Sequence, residues 1–282
     1  MTKEKKLLEN PIISSMVVPV AIILVGSLIV FGVTKMLSTD RSYRDLVREM
    51  HSKTFGNRWV AAFELSKQIA SSNIPEEDLD WLVDEMSQLY GNANDPRTRN
   101  FLVVAAGALK SDKGLPLIKK GLSDTDSNVK FHAITSLGNM DTLDNFDWDL
   151  LYPHLNQDDV GIQIATILTL SRHNAPKAQE TITPLLNSPE PSVRYAAATA
   201  LVRYKSIVAL PVVNEILLLE SEPKPNDKFT LTQVENLKMN ILRAAKKNKW
   251  NAVRQTISTL VEAEKNLKVK TKAKELLILL NN

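Results

Sequence analysis

The sequence predicts an all-α protein, an α-solenoid of stacked helix pairs preceded by one N-terminal transmembrane helix. Three observations support this fold class. Apolar residues recur at helical spacing along most of the 282 residues, and short breaks of Pro, Asp, Asn or Ser separate the periodic segments. Only 6% of the residues are aromatic and nine are glycine, which indicates an aliphatic helical core. Residues 12–34 carry no charge.

Residues 12–34 are the predicted membrane span. As a helix they would extend about 34 Å at roughly 1.5 Å per residue, enough for a hydrocarbon core of about 30 Å. A signal peptide is the competing interpretation, but its apolar part would be about 7–15 residues long and no small-x-small cleavage site follows here. More Lys and Arg residues follow the span than precede it, so the positive-inside rule favours a cytoplasmic solenoid.

The repeating unit is clearest in residues 191–201. Pro191 and Ser192 open a helix in which Val193, Ala197 and Leu201 share one face at i, i+4 and i+8. The last apolar position of the pattern recurs at Leu65, Leu109, Leu137, Leu170 and Leu201, at intervals of 44, 28, 33 and 31 residues. Two-helix units of this length cannot bury their apolar faces alone, so they must stack.

Five segments follow from these patterns. Residues 1–11 are a short basic segment, 12–37 the transmembrane anchor, 38–55 a juxtamembrane helix, 56–222 the repeats and 223–282 a basic helical cap. Acidic and basic residues are unevenly distributed along the chain. Residues 75–159 contain sixteen Asp and Glu against seven Lys and Arg, whereas residues 224–274 contain four against thirteen. Such an asymmetry concerns partners rather than the fold.

Residues 126–133 and 191–197 resemble the D-x-x-V-R-x-x-A signature of the HEAT-repeat family, particularly the short HEAT-like repeats of phycobilisome lyases. The resemblance covers roughly residues 56–281, with two close matches. Gln163 stands where Arg or Lys is expected, and Phe101-Leu102 where Val-Arg is expected. The resemblance implies a scaffold that binds proteins along a concave surface, in which an aspartate and a basic residue bond within or between repeats. Those residues here are Asp126, Lys130 and Arg194.

Motifs for catalysis and metal binding are not found in the sequence. The chain has no cysteine, which excludes disulfides and thiolate zinc sites. Its four histidines are scattered, and no phosphate-binding loop, dinucleotide-binding motif or nucleophile elbow occurs. We therefore expect no catalytic residue, no metal and no cofactor, and not an enzyme. An enzyme of the repeat-lyase type is the third hypothesis.

Arg58 and Trp59 are the first pair of candidate partner-binding residues. They open the first repeat helix in a chain with only four tryptophans. Aromatic and arginine side chains are enriched at binding hot spots. The structural alternative is that Trp59 covers the exposed first edge of the solenoid.

A second candidate set lies between two repeat helices. Asp144, Asp147 and Asp149 surround Phe146 and Trp148. This combination of an aromatic anchor with acidic residues would steer a basic protein partner towards the loop. The structural alternative places Phe146 and Trp148 in the core of a long loop.

The function that these patterns favour is a membrane-anchored, non-catalytic HEAT-like scaffold. Its expected partners are membrane-associated proteins, together with a lipid bilayer at residues 12–37. The alternative is a module that binds nucleic acid or anionic lipid through the basic C-terminal helices, whose lysines surround Trp250. Nucleic acid is the less favoured partner, because lysine-rich faces are common solubilising surfaces.

Overall fold

The computed structural model describes residues 41–52, 58–71, 74–221 and 228–281. The chain divides into two compact units, residues 1–46 and 47–282. In the first unit only residues 41–46 are described. There Ser42 caps the first helix, because its side-chain oxygen accepts the backbone N–H of Asp45 at 3.2 Å.

The described residues form thirteen α-helices joined by short connections. In chain order they are α1 Tyr43–His51, α2 Arg58–Ser71, α3 Glu76–Asn92, α4 Pro96–Ala108, α5 Leu115–Leu122, α6 Ser127–Asn139, α7 Val160–Arg172, α8 Ala178–Ile182, α9 Pro191–Val202, α10 Leu210–Leu217, α11 Leu231–Asn248, α12 Arg254–Ala263 and α13 Leu267–Asn281. Short 3₁₀ helices occupy Asp112–Gly114, Trp148–Leu150, Tyr152–Asn156, Thr183–Asn187, Ile207–Ala209 and Asn251–Val253.

The helices of the second unit form two rows. In what we call the A row, α2, α4, α6, α7, α9, α11 and α13 pack side by side in that order. The B row contains the intervening elements: α3, α5, the 3₁₀ segments of residues 148–156, α8 with Thr183–Asn187, α10 and α12. This confirms the predicted all-α solenoid of helix pairs.

Side-chain caps fix where the A-row helices begin. Asp95, Asp126, Asp159 and Glu190 each accept backbone N–H groups of the following first turn. These caps follow one another at intervals of 31, 33 and 31 residues, a more regular repeat than the leucine spacing indicated. Thr230 opens α11 with a complete capping box.

The structure corrects the repeat register of α4. Counted from its cap, the Val-Arg positions of the signature are occupied by Thr98 and Arg99, not by Phe101-Leu102. Thr98 is buried, and the Arg99 guanidinium forms two hydrogen bonds, 2.7 and 2.9 Å long, with the Asp124 carboxylate. The signature does not indicate this register, because a buried threonine stands where it has an apolar residue.

In α4, α7 and α9, the side chain at the basic position of the signature donates to a backbone carbonyl ahead of its helix. Arg99 donates to Ala93 O at 3.0 Å and Arg194 to Ser188 O at 2.9 Å. Gln163, at the same position in α7, donates to Leu155 O at 3.0 Å. These bonds confirm the structural role that the resemblance implied for Arg194, and they show how an amide replaces the guanidinium.

Helix α7 is bonded to both of its A-row neighbours. Thr169 Oγ1 donates to Ile134 O of α6 at 3.1 Å, and Ser171 Oγ donates to Ala200 O of α9 at 3.3 Å. Just after α7, His173 Nε2 donates to Leu137 O at 3.0 Å. Burial lowers the pKa of His173. Side chains therefore bond α7 to its neighbours in addition to apolar packing.

The prediction of a single-pass membrane location is corrected. Within the described ranges, no helix has both the length and the apolar composition that a bilayer span requires. The longest of them, α11, has 18 residues and is interrupted by charged side chains such as Glu235 and Lys238. The predicted anchor and the basic segment before it, residues 1–11 and 12–37, lie outside the described residues.

Candidate partner-binding surface

The A row has an outward face formed by residues that point away from the core. Counted from each cap, these are mainly the fifth, sixth, ninth and thirteenth residues. On α7 they include Ile164, Leu168 and Arg172, at i, i+4 and i+8. Leu168 is 48% exposed, although the equivalent residue of α6 and of α9 is a threonine. The centre of the row therefore presents an apolar side chain to solvent.

Leu168 borders a groove of about 290 Å³ that crosses α9 between α7 and α11. We call it the α9 groove. Its lining residues are Ile164, Leu168, Ser192, Tyr195, Ala196, Thr199, Phe229, Gln233, Asn236, Leu237 and Asn240. None of these residues carries a charge at neutral pH. Ala196 and Thr199 are small, so the groove sinks over α9 between the larger Leu168 and Leu237.

Tyr195 keeps this lining neutral. Its ring stacks on Phe229 with centroids 5.4 Å apart, and its hydroxyl donates to Glu215 Oε1 at 2.6 Å. Burial and the hydrogen bond to Glu215 raise the pKa of Tyr195 to about 12. The phenol is therefore protonated at every physiological pH.

A second, polar cleft of about 460 Å³ lies over α6, between α4 and α7. We call it the α6 cleft. It is lined by Val104, Gly107, Ala108, Lys110, His132, Thr135, Ser136, Asn139, Asp141 and Arg172. Burial lowers the pKa of His132, so its imidazole is neutral at pH 7. Arg172 extends the outward face of α7 into this cleft.

The structure places Arg58 and Trp59 at the first helix of the A row. Arg58 Nη2 donates to Ser52 O at 3.4 Å, six residues back, as Arg99 and Arg194 do. The Trp59 ring stacks on the Phe101 ring, with the ring centroids 6.5 Å apart. The guanidinium of Arg97 covers the Trp59 ring at 4.8 Å. Trp59 therefore belongs to the outward face, whereas Arg58 bonds to the backbone.

The loop candidates lie at the connection that follows α6. Phe146 is buried, and its ring contacts Trp148 edge-on at 5.1 Å. Asp144, Asp147 and Asp149 are exposed, and Asp147 accepts the backbone N–H of Asp149 at 3.1 Å as the cap of a 3₁₀ helix. Among the described residues, no ring contact joins this loop to Trp59.

Several lysines of the basic C-terminal helices are paired with glutamates. Lys246 and Lys272 both lie 2.9 Å from Glu275, and Lys268 lies 2.5 Å from Glu235. The excess of positive charge in residues 224–274 is thus partly compensated where α11 meets α13.

A buried ionic network near the C-terminal helices was not predicted from the sequence. Lys238 of α11 lies 2.7 Å from Glu264, which follows α12, and the Ser221 hydroxyl donates to Glu264. Lys238 also donates to Ser221 Oγ at 2.9 Å. It borders a pocket of about 400 Å³ beside Leu260 and Ala263. Since Lys238 and Glu264 are 26 residues apart, no local pattern indicates the pair.

The described ranges contain no cluster of three His, Asp or Glu side chains that could ligate a metal ion. A family model of HEAT repeats matches residues 146–225. None of the curated proteins compared with the chain matches it significantly.

Solved structures support the fold. The complex of CpcE and CpcF of phycocyanin lyase from Nostoc sp. PCC7120 is 19% identical, over 85% of this chain and 94% of that one, with a TM-score of 0.53. Escherichia coli YibA is 15% identical, over 86% and 83%, with a TM-score of 0.60. At these identities the similarity shows the fold alone. The chain is therefore an all-α helical-repeat solenoid, in which residues 146–225 match a family model of HEAT repeats.

Proposed function

We propose that the chain is a non-catalytic HEAT-like scaffold that binds a protein partner on the outward face of the A row, at the α9 groove. The observation that supports this best is the exposure of Leu168 beside a groove lined by no charged residue. Charged residues make up 24% of the chain. A groove with an apolar rim and no charged lining residue therefore differs in composition from the chain as a whole. Surfaces of this kind mark interaction sites.

The groove favours an apolar, uncharged partner segment. The amides of Asn236 and Asn240 stand one helical turn apart on its rim, and each can both donate and accept a hydrogen bond. These amides can hydrogen-bond to the N–H and C=O groups of a partner backbone, while Leu168 and Leu237 provide apolar contact. Complete burial of a leucine contributes about 1.5–3 kcal/mol, and Leu168 is already half-buried.

The test replaces Leu168 with Asp and uses Leu218→Asp as a matched control. Leu218 is 54% exposed but follows α10 in the B row. Partners photo-crosslinked through benzoylphenylalanine at position 199 are purified and titrated against the wild type and both variants. We expect Leu168→Asp to weaken binding at least about ten-fold, or about 1.4 kcal/mol, and Leu218→Asp to change it less than about two-fold. Equal affinities for all three proteins would refute the proposal.

A further inference from the structure

The α9 groove and the α6 cleft meet on α7. Ile164 and Leu168 line the groove, and Arg172 lines the cleft. Leu168 and Arg172 are four residues apart, which is about 6 Å along the helix axis. A segment that lies across α7 and fills the groove therefore reaches the cleft within two or three residues of its own.

Two cations face the cleft without a partner of opposite charge. Within the described part of the chain, neither the Lys110 ammonium nor the Arg172 guanidinium forms an ion pair or a hydrogen bond. Two arginines that do not line the cleft are engaged: Arg99 binds Asp124, and Arg203 donates to Asn174 Oδ1 at 2.5 Å. Asp141 is the one acidic residue in the lining.

Neutral hydrogen-bond donors line the cleft together with the two cations. The Asn139 side chain has no hydrogen-bond partner among the described residues, and it lines the cleft together with the neutral imidazole of His132. A guanidinium binds carboxylate and phosphate oxygens through paired N–H groups. We propose that the α6 cleft binds an anionic oxygen group, a carboxylate or a phosphate, carried by the partner segment that occupies the α9 groove.

This inference rests on the proposed function and specifies the partner's chemistry: an apolar segment followed closely by one anionic group. A continuous polyanion such as nucleic acid is disfavoured by two features. The α9 groove offers no cation, and the loop beyond the cleft carries exposed Asp144, Asp147 and Asp149.

The first experiment titrates the full chain with inorganic phosphate and, separately, acetate at constant ionic strength, and follows backbone amide NMR signals. We expect saturable shifts at Lys110, Asn139 and Arg172. Arg172→Gln should weaken phosphate binding at least about five-fold, whereas Arg254→Gln, an exposed arginine of α12 in the B row, should change it less than about two-fold.

One further variant sharpens the test of the cleft. Asp141→Asn removes the one acidic side chain among the residues that line the cleft and should tighten binding about two-fold. The absence of saturable shifts, or an equal loss in Arg172→Gln and Arg254→Gln, would overturn the proposal.

The second experiment separates the inference from the proposed function. Two capped aliphatic decapeptides differ in one residue, Glu or Gln, placed three residues after a leucine. We expect the Glu peptide to bind the wild type at least about five-fold more tightly, and to lose this advantage in Arg172→Gln. If both peptides bind equally and Leu168→Asp abolishes both, the groove proposal stands and the anionic-group proposal is refuted.

Discussion

Lys238 Nζ lies 2.7 Å from Glu264 Oε2, with side-chain exposures of 3% and 0%. Removing two charges from water costs several kcal/mol for each ion, and only close pairing with additional hydrogen bonds offsets that cost. Here Ser221 bonds to both partners, and the backbone N–H of Asn266 donates to Glu264 at 2.8 Å. The network therefore ties the segment after α10, which contains Ser221, to α11 and to the connection between α12 and α13.

The first prediction concerns that pair. Lys238→Met leaves Glu264 buried without its counter-ion and should reduce the free energy of unfolding by about 3–5 kcal/mol in urea denaturation. The double variant Lys238→Met with Glu264→Leu should recover most of this loss, because neither charge is then stranded. A single variant as stable as the wild type would contradict the buried pairing.

The second prediction concerns acid stability through Asp124. Burial acts to raise the pKa of Asp124, but hydrogen bonds from Arg99, Asp126 N and Tyr90 outweigh it and lower the pKa from 3.8 to about 2. Between these values the unfolded chain binds more protons, so stability falls as the pH falls. The contribution is complete above pH 4 and is lost towards pH 2.

The measurement is the free energy of unfolding between pH 5 and pH 3, from urea titrations of the wild type and Asp124→Asn. The wild type should lose stability more steeply below pH 4, since the amide has no proton to take up. Parallel curves would exclude Asp124 as a source of the acid sensitivity.

The third prediction compares two helical glycines. A Cβ at Gly107 would lie 2.5 Å from Ser136 Cβ and Oγ, so Gly107→Ala must push α4 away from α6 and should cost about 1–3 kcal/mol. A Cβ at Gly91, in α3, would meet no atom within 4 Å. Gly91→Ala should therefore stabilise the chain by about 0.5–1 kcal/mol in the same thermal denaturation assay.

The fourth prediction concerns the core of α9. Ala197 is completely buried, whereas Lys205 is exposed after the helix end. Ala197→Leu overpacks the contact with neighbouring helices and should cost about 1–3 kcal/mol. Lys205→Arg keeps the charge and the exposure, and should change stability by less than about 0.5 kcal/mol. Similar effects at both positions would disprove the register assigned to α9.

The helix pairs could be predicted because burial along a helix is a local pattern. Val193, Ala197 and Leu201 repeat at helical spacing, and the structure buries all three. The register of α4 could not be predicted in this way, since Thr98 and Ala106 occupy positions that hold larger apolar residues in α6, α7 and α9. Between α6 and α7, residues 148–150 and 152–156 form two 3₁₀ segments instead of one α-helix, because Pro153 has no N–H to donate within a helix.

The candidate surface was less accessible to sequence reasoning. Trp59 stood out as a rare residue, and the structure places it on the outward face of the A row. The sequence does contain a signal for Leu168 and Arg172. They occupy the ninth and thirteenth positions after the Asp159 cap, at which residues of the outward face recur. That signal becomes visible only when the exposed positions of successive repeats are aligned, whereas the helix pairs are recognised from the buried positions alone. Lys238 and Glu264 left no such signal, because their contact depends on three-dimensional packing.

The bonds that join α7 to both neighbours affect the order in which the array loses its structure. A solenoid behaves approximately as a one-dimensional chain of nearest-neighbour couplings, in which opening starts at the weakest interface. Thr169, Ser171 and His173 add three side-chain-to-backbone hydrogen bonds at the centre of the row. We therefore expect unfolding to start at the ends of the row and the amides of α7 to exchange with solvent last. The face that carries Leu168 and Arg172 should then stay folded while the outer repeats open.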